Sequence, residues 1–135
     1  MAHITEVIGA YSEKLAEVAL MASGYTVLKP TTAEPYDYVA LGSGNRTLKV
    51  QVKTIRIRND RNNELVIVAT NGSGALYSEE DVDCFIGVLG GDQPRVFMLA
   101  NRGIKEYWST LDRAPKRWLE LPLGLNRGGD SNGRV

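Results

Sequence analysis

The segment that decides the fold is KVQVKT, residues 49–54 of the chain. Its side chains alternate, with Val50 and Val52 on one face of an extended strand and Gln51 and Lys53 on the other. Alternation of this kind predicts a half-buried strand whose valines pack in the core. Because Gln51 and Lys53 are two positions apart, their polar side chains share the opposite face.

A hairpin is predicted to join this strand to the one before it. Tyr36–Leu41 is a candidate strand, and the turn residues Gly42–Asn45 tolerate positive φ, so the chain reverses there. The return strand is predicted to run from Arg46 to about Arg58. The hairpin therefore brings Asp37 of the first strand beside the polar face of the second.

Three residues of this hairpin offer oxygen atoms of the kind that a divalent cation prefers. They are the Asp37 carboxylate, the Gln51 side-chain carbonyl and the Val52 backbone carbonyl. A cation held there lowers the pKa of a bound water and neutralises charge on a phosphate. Lys53 is suited to orient or deprotonate that water, or to stabilise the phosphorane. Each residue alone is also explained as part of a solvated strand face, and it is their joint arrangement that favours a site.

An amphipathic helix is predicted ahead of the hairpin, from about Thr5 to Ser23. Thr5 is a suitable N-cap, and Gly24 stands where a left-handed residue ends a helix. A short strand, Tyr25–Leu28, follows. The apolar residues recur at the spacing of one helix face: Ile4, Val7, Ile8, Tyr11, Leu15, Val18 and Ala19.

The second half of the chain supplies the rest of a sheet. Glu64–Ala69 suits a central strand, Cys84–Leu89 and Arg95–Leu99 pair as a hairpin, and Trp108–Leu121 is weakly helical. The predicted fold class is therefore α/β, with an N-terminal helix, a mixed and mostly antiparallel sheet of about five strands, and a C-terminal helix. One domain is expected over residues 1–123, and a disordered tail over 124–135.

Composition excludes several functional classes. The 135 residues include 16 Lys and Arg and 16 Asp and Glu, so the formal net charge is zero and attraction to nucleic acid requires local patches. The lone cysteine, Cys84, is expected to be buried, and the lone histidine, His3, rules out mechanisms built on histidine pairs. There is no run of 18 apolar residues and no charged-then-apolar leader, so we expect a soluble cytoplasmic protein.

The order Asp37, Gly-rich turn and QVKT resembles the PD-(D/E)XK nuclease superfamily, whose core is restriction-endonuclease-like. It is most similar to the branch with a QxK motif, known among group I intron homing endonucleases and related to archaeal-type Holliday-junction resolvases. Ser12-Glu13 followed by Gly24-Tyr25 resembles the family's opening helix, and residues 77–83 a segment that follows its core. The resemblance, over roughly residues 8–99, implies Glu13 and Asp37 as metal ligands, Gln51 as third ligand and Lys53 as catalytic lysine.

Two positions depart from the majority pattern of that superfamily. Tyr36 replaces the proline before Asp37, which is common in the superfamily. Gln51 replaces an acidic residue, so the site loses one negative charge and a cation should bind more weakly. Glu13 can compensate for that charge, and Glu17, one helical turn further on the same face, is the alternative ligand.

Two groups of basic residues are candidates for contact with nucleic acid. Lys49, Arg56, Arg58 and Arg61 extend from the active strand into the following turn. Local excess of positive charge binds phosphates even on a neutral protein, although a solvated charged surface explains both groups as well. The second group is interleaved with aromatic residues: Arg102, Lys105, Arg113, Lys116 and Arg117, with Tyr107, Trp108 and Trp118.

The function expected from these observations is a Mg²⁺- or Mn²⁺-dependent endonuclease acting on duplex or branched DNA. One site cuts one strand, so a homodimer or higher homo-oligomer is expected, with Phe97, Met98 and Trp108 as candidate interface residues that core packing explains equally well. Junction resolution and site-specific homing are equally compatible, and a defence or repair nuclease is a third option. A catalytically weak or inactive nucleic-acid-binding module, or an interaction or inhibitor protein on the same fold, are the alternatives from other classes.

Overall fold

A computed structural model describes residues 1–125 as one helix packed on a sheet, with a smaller sheet on the other side. Two 3-10 turns, Ser43–Asn45 and Asn59–Arg61, interrupt the chain. The helices and strands are α1 Ile4–Ala22, β1 Thr26–Leu28, β2 Tyr38–Leu41, β3 Thr47–Thr54, β4 Arg56–Arg58, β5 Glu64–Val68, β6 Cys84–Leu89, β7 Arg95–Ala100, β8 Glu106–Ser109, α2 Ala114–Arg117 and β9 Leu119–Leu121.

The larger sheet has six strands in the order β1-β2-β3-β6-β7-β9. β3 and β6 are parallel, and the other neighbours are antiparallel, which confirms the mixed, mostly antiparallel sheet. The predicted return strand is wrong in one respect, because it divides at Ile55. Its second part, β4, joins β5 and β8 in a separate three-stranded sheet.

The larger sheet is covered on both faces, because β3 and β6 alternate their side chains between two cores. Val50, Val52 and Ile86 pack with α1 on one face. Phe85 and Ile55 pack on the other face with the three-stranded sheet. The predicted alternation of β3 is confirmed, and Cys84 is buried as expected. Burial raises the pKa of the Cys84 thiol to about 12, with the Asp83 charge contributing, so the thiol stays protonated.

Gly87 allows the two sheets to approach closely beside β3. It pairs in register with Lys53, and a Cβ atom built on Gly87 would lie 2.5 Å from Ile67 Cδ1 and 3.0 Å from Ile55 Cγ1. No side chain fits in that space. Because β5 lies so close to β6 here, the segment that follows β5 is placed beside the polar face of β3.

The helix prediction was correct in extent but not in its packing. His3, not Thr5, is the N-cap, because its ring accepts from the Thr5 N–H, while Gly24 has the expected positive φ of 95°. The residues of α1 that pack on the sheet are Ser12, Ala16, Ala19 and Leu20. Small side chains let the helix approach the sheet, and most of the larger apolar residues lie on the exposed side. Periodicity identifies an apolar face but does not tell which surface covers it.

The predicted C-terminal helix forms around Pro115, but it is a single turn, Ala114–Arg117, and does not extend over residues 108–121. Trp108 lies in β8, where it pairs with Val66 of β5, and β9 follows the turn immediately. Phe97, proposed above for a subunit interface, is fully buried in the core and cannot serve there. Met98 packs against the other core cluster.

Two sequence predictions concern the ends and surroundings of the chain. Neither helix of the described residues has the length and apolarity needed to span a membrane. Most of the predicted tail, residues 126–135, lies outside the described residues, so its disorder and the domain boundary at residue 123 stay predictions.

Candidate active site

Asp37 is held by the backbone of β3 just before β2 begins. Its N–H donates to the Val50 carbonyl (2.8 Å), and its carboxylate accepts from the Val52 N–H (2.8 Å). β2 pairs with β3 only as far as Val50, so the Val52 N–H has no backbone acceptor on β2 and donates to the Asp37 carboxylate instead. Asp37 therefore precedes the strand on which it was predicted, and its orientation is set by two hydrogen bonds.

Glu13 is brought to the same edge by two contacts between α1 and the sheet. The hydroxyls of Ser12 and Thr54 are 2.7 Å apart, and the Tyr38 hydroxyl donates to the Glu13 carbonyl (3.1 Å). These bonds fix the rotation of α1 about its own axis. The Glu13 carboxylate then lies near enough to Asp37 for their charges to interact.

Glu17, the alternative ligand, is engaged elsewhere. Its carboxylate accepts from the Tyr38 hydroxyl (3.3 Å) and lies 3.7 Å from the Lys14 ammonium. Lys29 approaches Glu13 to 4.0 Å and also acts on the charge of Asp37. Sequence reasoning missed Lys29, although its position just after β1 places it at the end of the strand that pairs with β2.

Lys53 lies on the face of β3 opposite to Val52, where it contacts Thr70 and Tyr77. Its ammonium donates to the Thr70 carbonyl (2.7 Å) and lies 5.2 Å from the centre of the Tyr77 ring. Thr70 pairs with Leu76, so the loop between them closes and brings Tyr77 back to the sheet. Neither Thr70 nor Tyr77 was predicted as a site residue, and only the resemblance of residues 77–83 to a family segment pointed towards the latter.

Gln51 and the Val52 carbonyl occupy the remaining corner of the site. The N–H and carbonyl of one strand residue face the same edge, so the Val52 carbonyl faces the edge held by Asp37. The Gln51 amide nitrogen lies 3.4 Å from that carbonyl. A half-turn of the amide exchanges its nitrogen and oxygen, which would place two oxygens side by side.

The electrostatics of the site favour a bound positive charge. Burial raises the pKa of Asp37, although the Val52 N–H and the charges of Lys53 and Lys29 oppose this shift. Burial also raises the pKa of Glu13, and the charge of Asp37 raises it further. Burial lowers the pKa of Lys53, against the opposing effect of Asp37 and together with Arg56. A cation bound between Asp37 and Glu13 would stabilise the charged forms of both carboxylates, which burial disfavours.

The residues present fit a magnesium-like cation. Mg²⁺ usually binds through one or two carboxylates and keeps several waters, and Glu13 and Asp37 supply that number. The carbonyl of Val52 and the amide oxygen of Gln51 add neutral oxygens. Within residues 1–125 no cluster of three or more His, Cys, Asp or Glu side chains is suited to a metal.

The predicted basic residues lie in three separate places. Arg56 lies close enough to Lys53 to lower its pKa, so it borders the site. Arg58 and Arg61 lie 5.7 and 5.3 Å from the Trp108 ring centre, and Arg58 is also paired with Asp60 (2.6 Å). Lys49 is separate, because its ammonium donates to the Glu80 carbonyl.

The outer face of the three-stranded sheet carries residues from both of the basic groups that the sequence analysis identified. Cross-strand partners share a face, so Arg56, Val66 and Trp108 point the same way. Arg117 donates to the Trp108 carbonyl (2.8 Å) at the edge of β8. A cleft of about 610 Å³ opens there, between β7 and β8, and its lining includes Arg102, Trp108 and Arg117 but none of the four site residues.

The described residues thus form a helix over a mixed sheet, with two carboxylates and a lysine near Asp37 at β3. Residues 3–94 match the PD-(D/E)XK endonuclease family, and the chain belongs to that family. The structure is similar to that of the bacterial homing endonuclease I-Ssp6803I, with a TM-score of 0.62 and 20% identity over 82% of this chain and 77% of that chain. At this identity the likeness shows the fold alone. No curated protein matches the chain in sequence.

Proposed function

We propose that this chain is a Mg²⁺- or Mn²⁺-dependent endonuclease that hydrolyses phosphodiester bonds of DNA. The observation that carries the proposal is the meeting of Glu13, Asp37 and Lys53 around the Val52 peptide at one strand edge. Membership of an endonuclease family supports the same reaction class. We assign Glu13, Asp37, Gln51 and the Val52 carbonyl as the groups that hold the cation.

The residues divide the chemistry between them. A bound divalent cation supplies an activated water and neutralises charge that develops on the phosphate. Lys53 gives one of its three N–H donors to Thr70, and the other two, which have no acceptor within residues 1–125, can reach the scissile phosphate or the attacking water. The Tyr77 ring and the Thr70 carbonyl hold the ammonium still, so less entropy is lost when the phosphate binds.

DNA is proposed as the substrate because arginines beside an aromatic ring lead away from the site, with the carboxylates of Asp60, Glu64 and Glu106 among them. Arg56 borders Lys53, and Arg58, Arg61 and Trp108 continue along the same outer sheet face. Arginines beside an aromatic ring bind phosphates and stack on bases. Lys49 has a weaker claim to DNA contact, because its ammonium is bound to Glu80.

The form of DNA follows less directly. A homing enzyme reads base edges and needs surface beyond the core, whereas a junction resolvase reads shape and phosphates. The similarity to a homing endonuclease fold supports the first, and the small size of the domain supports the second. Comparing cleavage of a four-way junction with cleavage of a linear duplex of the same sequence separates them. Cutting both strands requires a second copy of the chain.

The test of catalysis is cleavage of supercoiled DNA in Mg²⁺ and Mn²⁺. Lys53→Ala should abolish nicking, because the Lys53 ammonium is held beside the site by the Thr70 carbonyl and its charge acts on Asp37. Lys105→Ala is the matched control, since its side chain is exposed and its backbone carbonyl accepts from Ala69, and both variants are compared at saturating DNA so that a lost phosphate contact does not count. Equal nicking by both variants would reject the assignment of Lys53.

One observation favours the second candidate, a nucleic-acid-binding module with little or no turnover. The Gln51 amide nitrogen, not its oxygen, lies against the Val52 carbonyl, so in this rotamer that carbonyl accepts from the amide of the other proposed ligand. Gln51→Glu tests the point by restoring a negative charge. If the native chain binds DNA in Mn²⁺ without cutting and Gln51→Glu cuts, the binding module is the correct description of the native protein.

A further inference from the structure

The cleft between β7 and β8 is left open by the pairing of the two sheets. β9 pairs with β7 only from Val96 to Met98, so Leu99 and Ala100 extend beyond it. β8 is the last strand of the three-stranded sheet. The cleft between these two strand edges has a volume of about 610 Å³, which lies within the range of small-ligand sites. A space of this size admits a ligand as large as one nucleotide.

The walls of the cleft combine aromatic rings with guanidinium groups. The Arg102 guanidinium lies 5.4 Å from the centre of the Tyr107 ring, and Arg117 donates to the Trp108 carbonyl (2.8 Å). Within residues 1–125 neither guanidinium lies within salt-bridge distance of a carboxylate. Both side chains are exposed, and each has further N–H donors for an anion such as a phosphate.

The edge of β8 that faces the cleft is blocked to a further strand. The Lys105 carbonyl accepts from the Ala69 N–H of the segment after β5, so the backbone groups of Glu106 and Trp108 face away from β5. The Arg117 guanidinium occupies that edge by binding the Trp108 carbonyl. A peptide that adds to a sheet needs these backbone groups. The cleft therefore suits a ligand that binds side chains.

A carboxylate in the cleft favours a base over a phosphate alone. Glu106 accepts from the Trp108 Nε1–H with one of its oxygens (3.1 Å). Its second oxygen accepts no hydrogen bond within residues 1–125, and a carboxylate accepts readily from a base amino group such as cytosine N4. An aromatic ring, a carboxylate and a guanidinium together match the base, the amino group and the phosphate of one nucleotide.

Trp108 joins the cleft to the arginines that lead from the candidate active site. Its half-buried ring lines the cleft and lies 5.7 and 5.3 Å from the guanidinium carbons of Arg58 and Arg61. Arg56 borders Lys53 and shares a sheet face with Trp108. A nucleic acid that follows these arginines away from Lys53 therefore reaches the cleft.

We infer that the cleft between β7 and β8 binds one unpaired nucleotide of the DNA substrate. The base stacks on Trp108 and gives its amino group to Glu106, and Arg102 and Arg117 bind the phosphate. Such stacking requires a base that is not paired within a duplex. The favoured substrate is therefore DNA with a single-stranded end, a gap or a branch. The inference rests on the proposed DNA nuclease for its ligand but not for its chemistry, because none of the four site residues lines the cleft.

Binding is measured by fluorescence anisotropy in EDTA, so that recognition and cleavage can fail separately. A hairpin duplex with a short cytosine tail should bind about 10-fold tighter than the same duplex with an abasic tail of equal length, which keeps every phosphate. Arg117→Ala and Arg102→Ala should each weaken binding of the cytosine tail. Lys116→Ala is the matched control for the former, because this exposed neighbour on α2 carries the same charge but does not line the cleft.

Tryptophan emission reports on the stacking itself. The cytosine tail should quench the emission of the native chain and the abasic tail should not. Trp108→Phe, in which Trp118 is the remaining tryptophan, should lose this quenching. A thymine tail, which lacks the amino group, should bind more weakly than cytosine, and Glu106→Gln should narrow the difference.

Equal affinity for cytosine and abasic tails overturns the inference. So does native affinity for the cytosine tail in both Arg117→Ala and Arg102→Ala, and equal binding of cytosine and thymine overturns the role of Glu106. A chain that prefers the cytosine tail but does not nick DNA in Mg²⁺ or Mn²⁺ supports the cleft and rejects the proposed catalysis. Nicking without any preference between the tails does the reverse.

Discussion

Replacing Gly87 with alanine should force β5 away from β6 next to Lys53. The new methyl group would lie 2.5 Å from Ile67 Cδ1, well inside contact distance, and 3.0 Å from Ile55 Cγ1. Ile67 is fully buried, so its side chain has little room to turn aside. Overpacking of this kind costs about 1–3 kcal/mol, and about 2 kcal/mol lowers the Tm of a chain of this length by about 8 °C.

The second substitution of the pair is Ile67→Val, which removes the Cδ1 atom that clashes. Alone it should cost about 1 kcal/mol, the usual loss for one buried methyl group. In the double variant that loss should be largely cancelled, because the added and removed methyl groups occupy the same space. The two changes should therefore couple by about 1 kcal/mol in favour of the double variant.

Urea unfolding of the four proteins measures the coupling, and nicking of supercoiled DNA adds a second readout. Thr70 follows β5, so a displaced Ile67 also moves the carbonyl that holds Lys53, and Gly87→Ala should slow cleavage more than it weakens DNA binding. The reasoning is refuted if Gly87→Ala is as stable as the native chain, or if the losses of the two single variants simply add.

Four further predictions concern the charged residues and the cation. In EDTA, Asp37→Asn should raise the Tm at neutral pH. Burial raises the folded pKa of Asp37, so its charged form destabilises the fold at any pH above the unfolded pKa. The native chain should therefore recover this loss of stability as the pH falls. Mg²⁺ at 100 times its Kd for the native chain should stabilise that chain by about 2.7 kcal/mol and should not stabilise Asp37→Asn, as measured by differential scanning calorimetry. Glu120, whose pKa is lowered first by its hydrogen bond to Arg95, should contribute stability above the unfolded pKa that is lost as pH falls through the folded one. Because both side chains are partly exposed, that contribution is within about 1 kcal/mol. The fall in Tm between pH 7 and pH 3 should therefore be smaller in Glu120→Gln than in the native chain. Arg61→Ala should reduce the salt dependence of DNA binding by about one counterion, measured by fluorescence anisotropy in rising salt, and an unchanged slope would exclude Arg61 from phosphate contact.

The parts of the site that the sequence predicted are the local ones. Asp37, Gln51 and Lys53 belong to one hairpin, and a turn with positive φ at Gly44 and Asn45 determines its register. Such a unit needs no information from the rest of the chain. Its roles in metal binding and catalysis stay predictions, whereas its family and fold are shown.

The surroundings of the site could not be predicted, because they depend on distant segments. Lys53 meets the Thr70 carbonyl and Tyr77 only after β5 has packed over Gly87. Arg58 and Trp108 belong to separate sequence clusters, and the pairing of β4, β5 and β8 joins them. No pattern within a few residues reports a contact between strands fifty positions apart.

The sequence by itself determined where α1 and the central hairpin form, because helix and strand periods and turn residues act over a few positions. Only the tertiary structure decided that β3 lies parallel to β6, that the return strand divides at Ile55, and that α1 packs through Ala16 and Leu20 and not through Ile8. These outcomes depend on which surfaces approach most closely, and close approach depends on the sizes of side chains from every packed element at once.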